Sequence, residues 1–263
     1  MNRFRLSLLG AAAAALALHS APGRAAEPDS KPPAWDWPVR AENLKVLPEK
    51  MPPEQLRAVM MGFTRALGVR CSHCHVGEEG KPLSTYDFPA DRNPKKKVAR
   101  GMVKMVKKVN EELSEIREHE PNARLAGVEV QCVMCHRGLA VPLTLSGTLT
   151  RAYTAAGADS AIFEYGRLRR RTFDSGAYDF REPSLDELGE YALGKNDTLG
   201  AIKIFELNMR QFPESGRVYE RLGRAYLTLG DTARAMTSFQ RAINVDPENR
   251  AAREGLRRLQ RTR

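Results

Sequence analysis

All four cysteines of this 263-residue chain fall in two copies of one pattern, Cys71-Ser72-His73-Cys74-His75 and Cys132-Val133-Met134-Cys135-His136. No other feature constrains the chain as strongly. C-x-x-C-H is the attachment signal of a c-type haem. The two thiols add to the haem vinyl groups, and the adjacent histidine is placed to give one axial nitrogen to iron. Two motifs imply two covalently held redox centres, and hence electron movement. Two other readings of paired C-x-x-C units stand beside this one: a four-thiolate zinc site and redox-active disulfides. Neither requires a histidine directly after the second cysteine, yet it occurs both times. The gap from Cys74 to Cys132 also far exceeds the roughly 15–20 residues of paired zinc spacing.

Haem attachment of this kind takes place outside the cytoplasm, and the N-terminus agrees. Arg3 and Arg5 precede an uncharged apolar run from Leu6 to Leu18, followed by Ala21-Pro22-Gly23-Arg24-Ala25-Ala26. This is the three-part pattern of a secretory signal peptide over residues 1–26. The apolar run is short for a membrane span, although an uncleaved anchor is the competing reading. The expected location is a bacterial periplasm, with the mature chain soluble or peripheral to the inner membrane. The formal charge of +10 then points to acidic redox partners or anionic headgroups. An exported chain meets little nucleic acid, so no nucleic-acid partner is expected. Residues 27–53 are rich in proline and include Trp35 and Trp37; they read as an extended arm.

Residues 54–145 form the expected haem domain. Glu54 to Leu67 places Leu56, Val59, Met60, Phe63 and Leu67 on one helical stripe. Lys95 to Leu113 repeats the design with Val98, Met102, Met105, Val106, Val109 and Leu113, lysines lying opposite. Each helix precedes one C-x-x-C-H motif, so the region is an internal duplication. A methionine thioether opposite the histidine holds iron low-spin and raises its potential, whereas a lone helical methionine is ordinarily core packing. One methionine in matching context per unit favours ligation. His73, between the two cysteines, reads as facing solvent or a haem propionate, and His119 reads as a surface residue.

These residues carry a family resemblance. Phe88-Pro89-Ala90-Asp91, Lys97 to Met105, Val109-Asn110 and Val130 to Gly138 resemble the cytochrome c subunit of photosynthetic reaction centres. In that family the first methionine of an A-R-x-M-x-x-M helix ligates the haem before C-x-x-C-H-R-G. The resemblance therefore implies Met102 as a distal ligand, and Met60, with Met61 as its rival, in the looser first unit. It covers Gln55 to Val141 and implies two haem c groups, matching the first pair of a four-haem subunit. It further implies electron exchange with a membrane reaction centre or a respiratory complex.

The C-terminal part is built differently. Leu188-Gly189, Ala192, Ala201, Phe205 and Pro213 recur 34 positions later as Leu222-Gly223, Tyr226, Ala235, Phe239 and Pro247. That is the tetratricopeptide period and pattern. Residues 184–263 are read as two repeats with a cap helix near Ala251–Gln260. Residues 146–183 are read as a linker with a degenerate helix pair near Leu149–Arg171. Arg167, Arg169, Arg170 and Arg171 read as a solvated helix face, with docking of an acidic partner as the alternative. Such arrays bind peptides or proteins in a groove, or serve as spacers.

The chain is thus expected to be all-α: a two-haem cytochrome domain joined to a short tetratricopeptide array. Cys71, Cys74, Cys132 and Cys135 would hold haem, and His75, His136, Met60 and Met102 would ligate iron. One-electron transfer between redox partner proteins is the expected function, with no catalytic residue. A general periplasmic carrier, a two-haem peroxidase and a haem-based redox sensor or scaffold are the alternatives. A peroxidase needs an open iron position, which paired methionines deny. No nucleotide loop, serine triad or H-E-x-x-H motif appears.

Overall fold

The computed structural model describes residues 41–119 and 127–261. The leader, Trp35 and Trp37 lie outside them. Nine α-helices and one isolated β-bridge organise the described residues, so the fold is all-α.

Helix α1 (Pro53–Leu67) starts on proline, whose fixed φ suits the first helical position, and ends on Gly68 in the left-handed region. Gly68 has a second reason to be glycine. A Cβ there would overlap the carbonyl oxygen of Gly138, just beyond the second C-x-x-C-H motif. Helix α2 (Pro94–His119) runs six residues past the expected end at Leu113. Its extension, Ser114 to His119, includes Glu115, Arg117 and Glu118, good helix formers that need no buried face. Helix α3 (Cys132–His136) is the second motif itself.

Helix α4 (Leu145–Thr172) covers the stretch expected as a degenerate helix pair. Non-helical backbone at Ala156 and Gly157 divides it into two helices across a kink. The four arginines near its end do not all form a solvated face. Arg167 is half-buried and pairs with Glu164 (2.7 Å), while the half-buried Arg169 lies 4.4 Å over the Phe173 ring. Arg170 and Arg171 are exposed as expected. Leu168, buried within the run, faces the core and draws its neighbours with it.

The repeats follow as α5 (Pro183–Gly194), α6 (Thr198–Gln211), α7 (Gly216–Leu229), α8 (Thr232–Val245) and the cap α9 (Arg250–Arg261). Helix α5 packs on α6, α6 on α7, α7 on α8 and α8 on α9, while α4 packs on α5 and α6. The 34-residue period is visible in the contacts. A methyl group on Gly189 would overlap the Phe205 ring, and one on Gly223 would overlap Phe239. Asp197 caps α6 through the Gly200 amide (2.8 Å), and Asp231, 34 positions on, caps α8 through Arg234 N (2.9 Å). Each cap satisfies an orphan amide of the first turn. Tyr153 of α4 donates to the other Asp197 oxygen (2.8 Å), tying α4 to the first repeat.

One buried polar pair sits in this array. Asn208 Nδ2 donates to Asp186 Oδ1 at 2.8 Å, leaving Asp186 Oδ2 and Asn208 Oδ1 without hydrogen bonds. Burial, aided by the nearby Glu182 charge, pushes the Asp186 carboxyl up to about 6. A carboxyl raised on folding favours the native state while protonated. That contribution is present below about pH 4, the ordinary aspartate range, and is lost as pH rises through the folded value. Asp186→Asn should remove this loss and stabilise the array at pH 7 by an amount on the order of 2–3 kcal/mol. Chemical denaturation at pH 5 and pH 7 measures it; an unchanged pH dependence contradicts it.

Candidate haem-binding centres

The first motif is shaped by backbone bonds. Cys71–His73 form a single 3₁₀ turn, with Cys74 N donating to Cys71 O (3.2 Å) and His75 N to the same oxygen (2.9 Å). Val76 and Asp87 then form the β-bridge, with Asp87 N donating to Val76 O at 2.8 Å. Closing that loop brings Phe88 beside His75. His75 Nδ1 lies 3.2 Å from Phe88 O, and the two rings meet edge-on at 4.9 Å. Tyr86 stacks on Phe88 at 5.5 Å.

A carbonyl only accepts, so Nδ1 carries the hydrogen and Nε2 keeps its lone pair. Partial burial, and then the nearby Lys96 and Arg100 charges, hold the His75 imidazole below its usual pKa. It is therefore neutral near pH 7, the form that ligates metals. Burial also raises the Cys74 thiol, against the pull of Lys95.

The second motif forms α3, ended by Arg137 and Gly138 in left-handed conformations. That turn carries the chain back, so that His136 Nδ1 lies 2.7 Å from Leu139 O. Nε2 is again left with its lone pair. His136 is 6% exposed. Gly138 N donates to Ala66 O at 2.8 Å, fastening this motif to the end of α1.

Helix α2 holds both motifs. Asn93, immediately before it, donates to His73 O (3.1 Å), and its Oδ1 accepts from Lys95 N (3.0 Å). Further along, Asn110 makes a two-way clamp on Val130. Its Nδ2 donates to Val130 O (3.0 Å), and its Oδ1 accepts from Val130 N (2.7 Å). Seventeen residues of helix place the two asparagines about 25 Å apart along the axis.

The proposed distal ligands lie on these helices. Met60 and Met102 are half-buried, whereas Met61 is 43% exposed. Helix packing crosses the duplication: α1, which carries Met60, packs on α3 of the second motif. Sequence reasoning did not single out Asn93 or Lys96. An Asn-Pro pair directly before a helical stretch, as in Asn93-Pro94, is a start signal that points to the first. His119 ends α2 exposed, and His73 is half-buried in the 3₁₀ turn.

The residues fit haem on three counts. Each motif supplies two free thiols and an imidazole oriented through Nδ1 by a backbone carbonyl. Among the described residues no three His, Cys, Asp or Glu side chains converge as a metal-binding group, so the two motifs do not meet as a four-thiolate centre. The packing is also unusual. Among the described residues, Met51, Leu56 and Ala66 are the only buried apolar side chains that precede Leu145. Helix α2 buries no residue, and Val98, Met105 and Val109 on its apolar face are exposed, as are Val133 and Met134 inside the second motif. An apolar face of this kind suits a large apolar cofactor.

Motif and fold together define an all-α chain with two C-x-x-C-H motifs followed by a tetratricopeptide array. Residues 78–162 match the model of the photosynthetic reaction centre cytochrome C subunit family. Residues 216–249 match the tetratricopeptide repeat. The cytochrome match takes in Phe88–Asp91, α2 and the second motif, and begins after the first.

Curated relatives include heat shock protein STI1 of Saccharomyces cerevisiae, 31% identical over 113 residues, 42% of this chain and 18% of that protein. Small glutamine-rich tetratricopeptide repeat-containing protein 2 of Mycosarcoma maydis is 28% identical over 107 residues, 40% of this chain and 28% of that protein. This chain therefore spans under a third of either relative. Among solved structures, the first tetratricopeptide domain of Spaghetti (RPAP3), bound to an HSP90 peptide, is 17% identical with a TM-score of 0.32. It covers 45% of this chain and 89% of that one. The Sgt2 domain from Aspergillus fumigatus is 18% identical with the same TM-score of 0.32, covering 45% and 76%.

Proposed function

We propose that this chain is an exported two-haem c-type cytochrome that passes single electrons between protein partners, with its tetratricopeptide array docking one of them. The observation that carries this reading is the repeated histidine geometry, a Nδ1–H committed to a carbonyl three or thirteen residues away beside two free thiols. Bound haem iron supplies the one-electron chemistry. Cys71 and Cys74 would hold one group covalently, and Cys132 and Cys135 the other. His75 and His136 would offer Nε2 to iron, and the carbonyls of Phe88 and Leu139 fix their ring orientation, as partners behind metal-binding histidines do. Met60 and Met102 would supply thioethers as the second ligands to iron. The half-buried place of Met60 favours it over the exposed Met61.

The family match over α2 and the second motif supports a cytochrome. The resemblance extends this to a photo-oxidised donor in a reaction centre, or an equivalent respiratory complex, as redox partner. The N-terminal leader pattern supports work in the periplasm. The repeat match supports a protein or peptide partner for the array.

Visible and near-infrared spectra of holoprotein test the ligand set. Wild type should be low-spin throughout, with the sulfur-to-iron charge-transfer band of methionine ligation. Met102→Ala should abolish low-spin character at one centre and lower its potential. An unchanged spectrum removes Met102 from the ligand set.

A further inference from the structure

The histidine-orienting carbonyls of the two centres differ in one respect. Leu139 O accepts from His136 alone among the described hydrogen bonds, and Arg137 beside it is exposed. Phe88 O accepts from His75 and also from the Lys96 ammonium, at 2.7 Å. Lys96 donates further to Pro89 O (2.9 Å) and Ala90 O (3.0 Å), and its side chain is 11% exposed. It is a cation seated in a ring of three carbonyls, not a solvated surface charge. Asp91 faces it at 3.4 Å and also pairs with Arg100 (2.8 Å) and Lys45 (2.7 Å). Asn43 donates to Asp91 as well (3.0 Å). Three cations around one carboxylate leave a net positive cluster behind His75.

Resting on the two-haem reading above, we propose that Lys96 is a positioning residue that sets the reduction potential of the His75 centre and makes it the higher of the two. A hydrogen bond from Nδ1 to a carbonyl makes imidazole a stronger donor to iron and favours the ferric state. Lys96 draws on the same oxygen, weakens that bond and leaves His75 a weaker donor. Its partly desolvated charge also disfavours the ferric state directly, because charges in a low-dielectric site interact strongly. Both effects act in the same direction. Among the described residues no cation donates to the Leu139 carbonyl of the His136 centre, so electrons run from the His136 centre to the His75 centre.

The test is a redox titration of full-length holoprotein, with haem content per chain measured first. Lys96→Met should lower the upper of two midpoints, by about threefold to tenfold in the reduction equilibrium, or up to about 59 mV at 59 mV per tenfold. Lys96→Arg should restore most of it. Asp91→Asn, which leaves the three carbonyls to hold Lys96, should move the same midpoint upward. Lys107→Met, an exposed lysine on α2, should move neither. If Lys96→Met loads poorly, the upward shift in Asp91→Asn carries the test. With two haems present, equal midpoints, a shift confined to the lower one, or no opposite response of the two variants overturns the proposal and leaves the two-haem reading intact. Absence of covalent haem overturns that reading instead.

Discussion

Replacing Cys132 and Cys135 by serine should leave one covalent haem per chain and destabilise the segment from α1 to α3. The effect is expected to be large because this part of the chain buries so little of itself. Among the described residues before Leu145, only Met51, Leu56 and Ala66 are buried and apolar. A segment so poor in its own core depends on what binds it, and a group that binds only the folded form stabilises that form. The second motif also anchors α1 through Gly138 and α2 through Asn110. Its loss should therefore spread beyond the local turn. Haem stoichiometry and limited proteolysis between Pro94 and Gly138 measure both effects. Cleavage rates equal to wild type would show that the cofactor is not part of this core.

Phe205→Ala should cost about 3–5 kcal/mol of array stability. Phe205 is fully buried, and its ring occupies the space left by the absent side chain of Gly189. Helix α5 has nothing there to move into a cavity, so little relaxation can offset the loss. The equivalent Phe239 lies against both Gly223 and Gly255; Phe239→Ala should cost a similar amount and loosen the cap helix α9 as well. Denaturant unfolding followed by far-UV circular dichroism measures both. A loss below about 1 kcal/mol at either site would contradict the glycine-aromatic packing.

Much of this architecture is legible in the sequence because its signals are local or periodic. The 34-residue period marks Gly189, Phe205, Gly223 and Phe239, and the structure brings each glycine onto its ring. The start and stop of α1 follow from Pro53 and Gly68. The two motifs announce their own histidines. What was hidden depends on contacts between distant positions. Nothing near Lys96 says that its ammonium is enclosed by the carbonyls of Phe88, Pro89 and Ala90, since the β-bridge at Val76 and Asp87 places those carbonyls. Asn110 belongs to the family resemblance, but nothing in the sequence says that its side chain clamps the Val130 backbone. The arginines of α4 read as a charge run, and only the packing of Leu168 and Phe173 separates the engaged Arg167 and Arg169 from the solvated pair.

Covalent haem content of the full chain, produced in a host that attaches c-type haem, tests the central claim most directly. Intact mass and a pyridine haemochrome assay on the same sample should give two haems per chain, with the low-spin spectrum of histidine–methionine ligation. One haem per chain, none, or a high-spin resting spectrum would contradict the account.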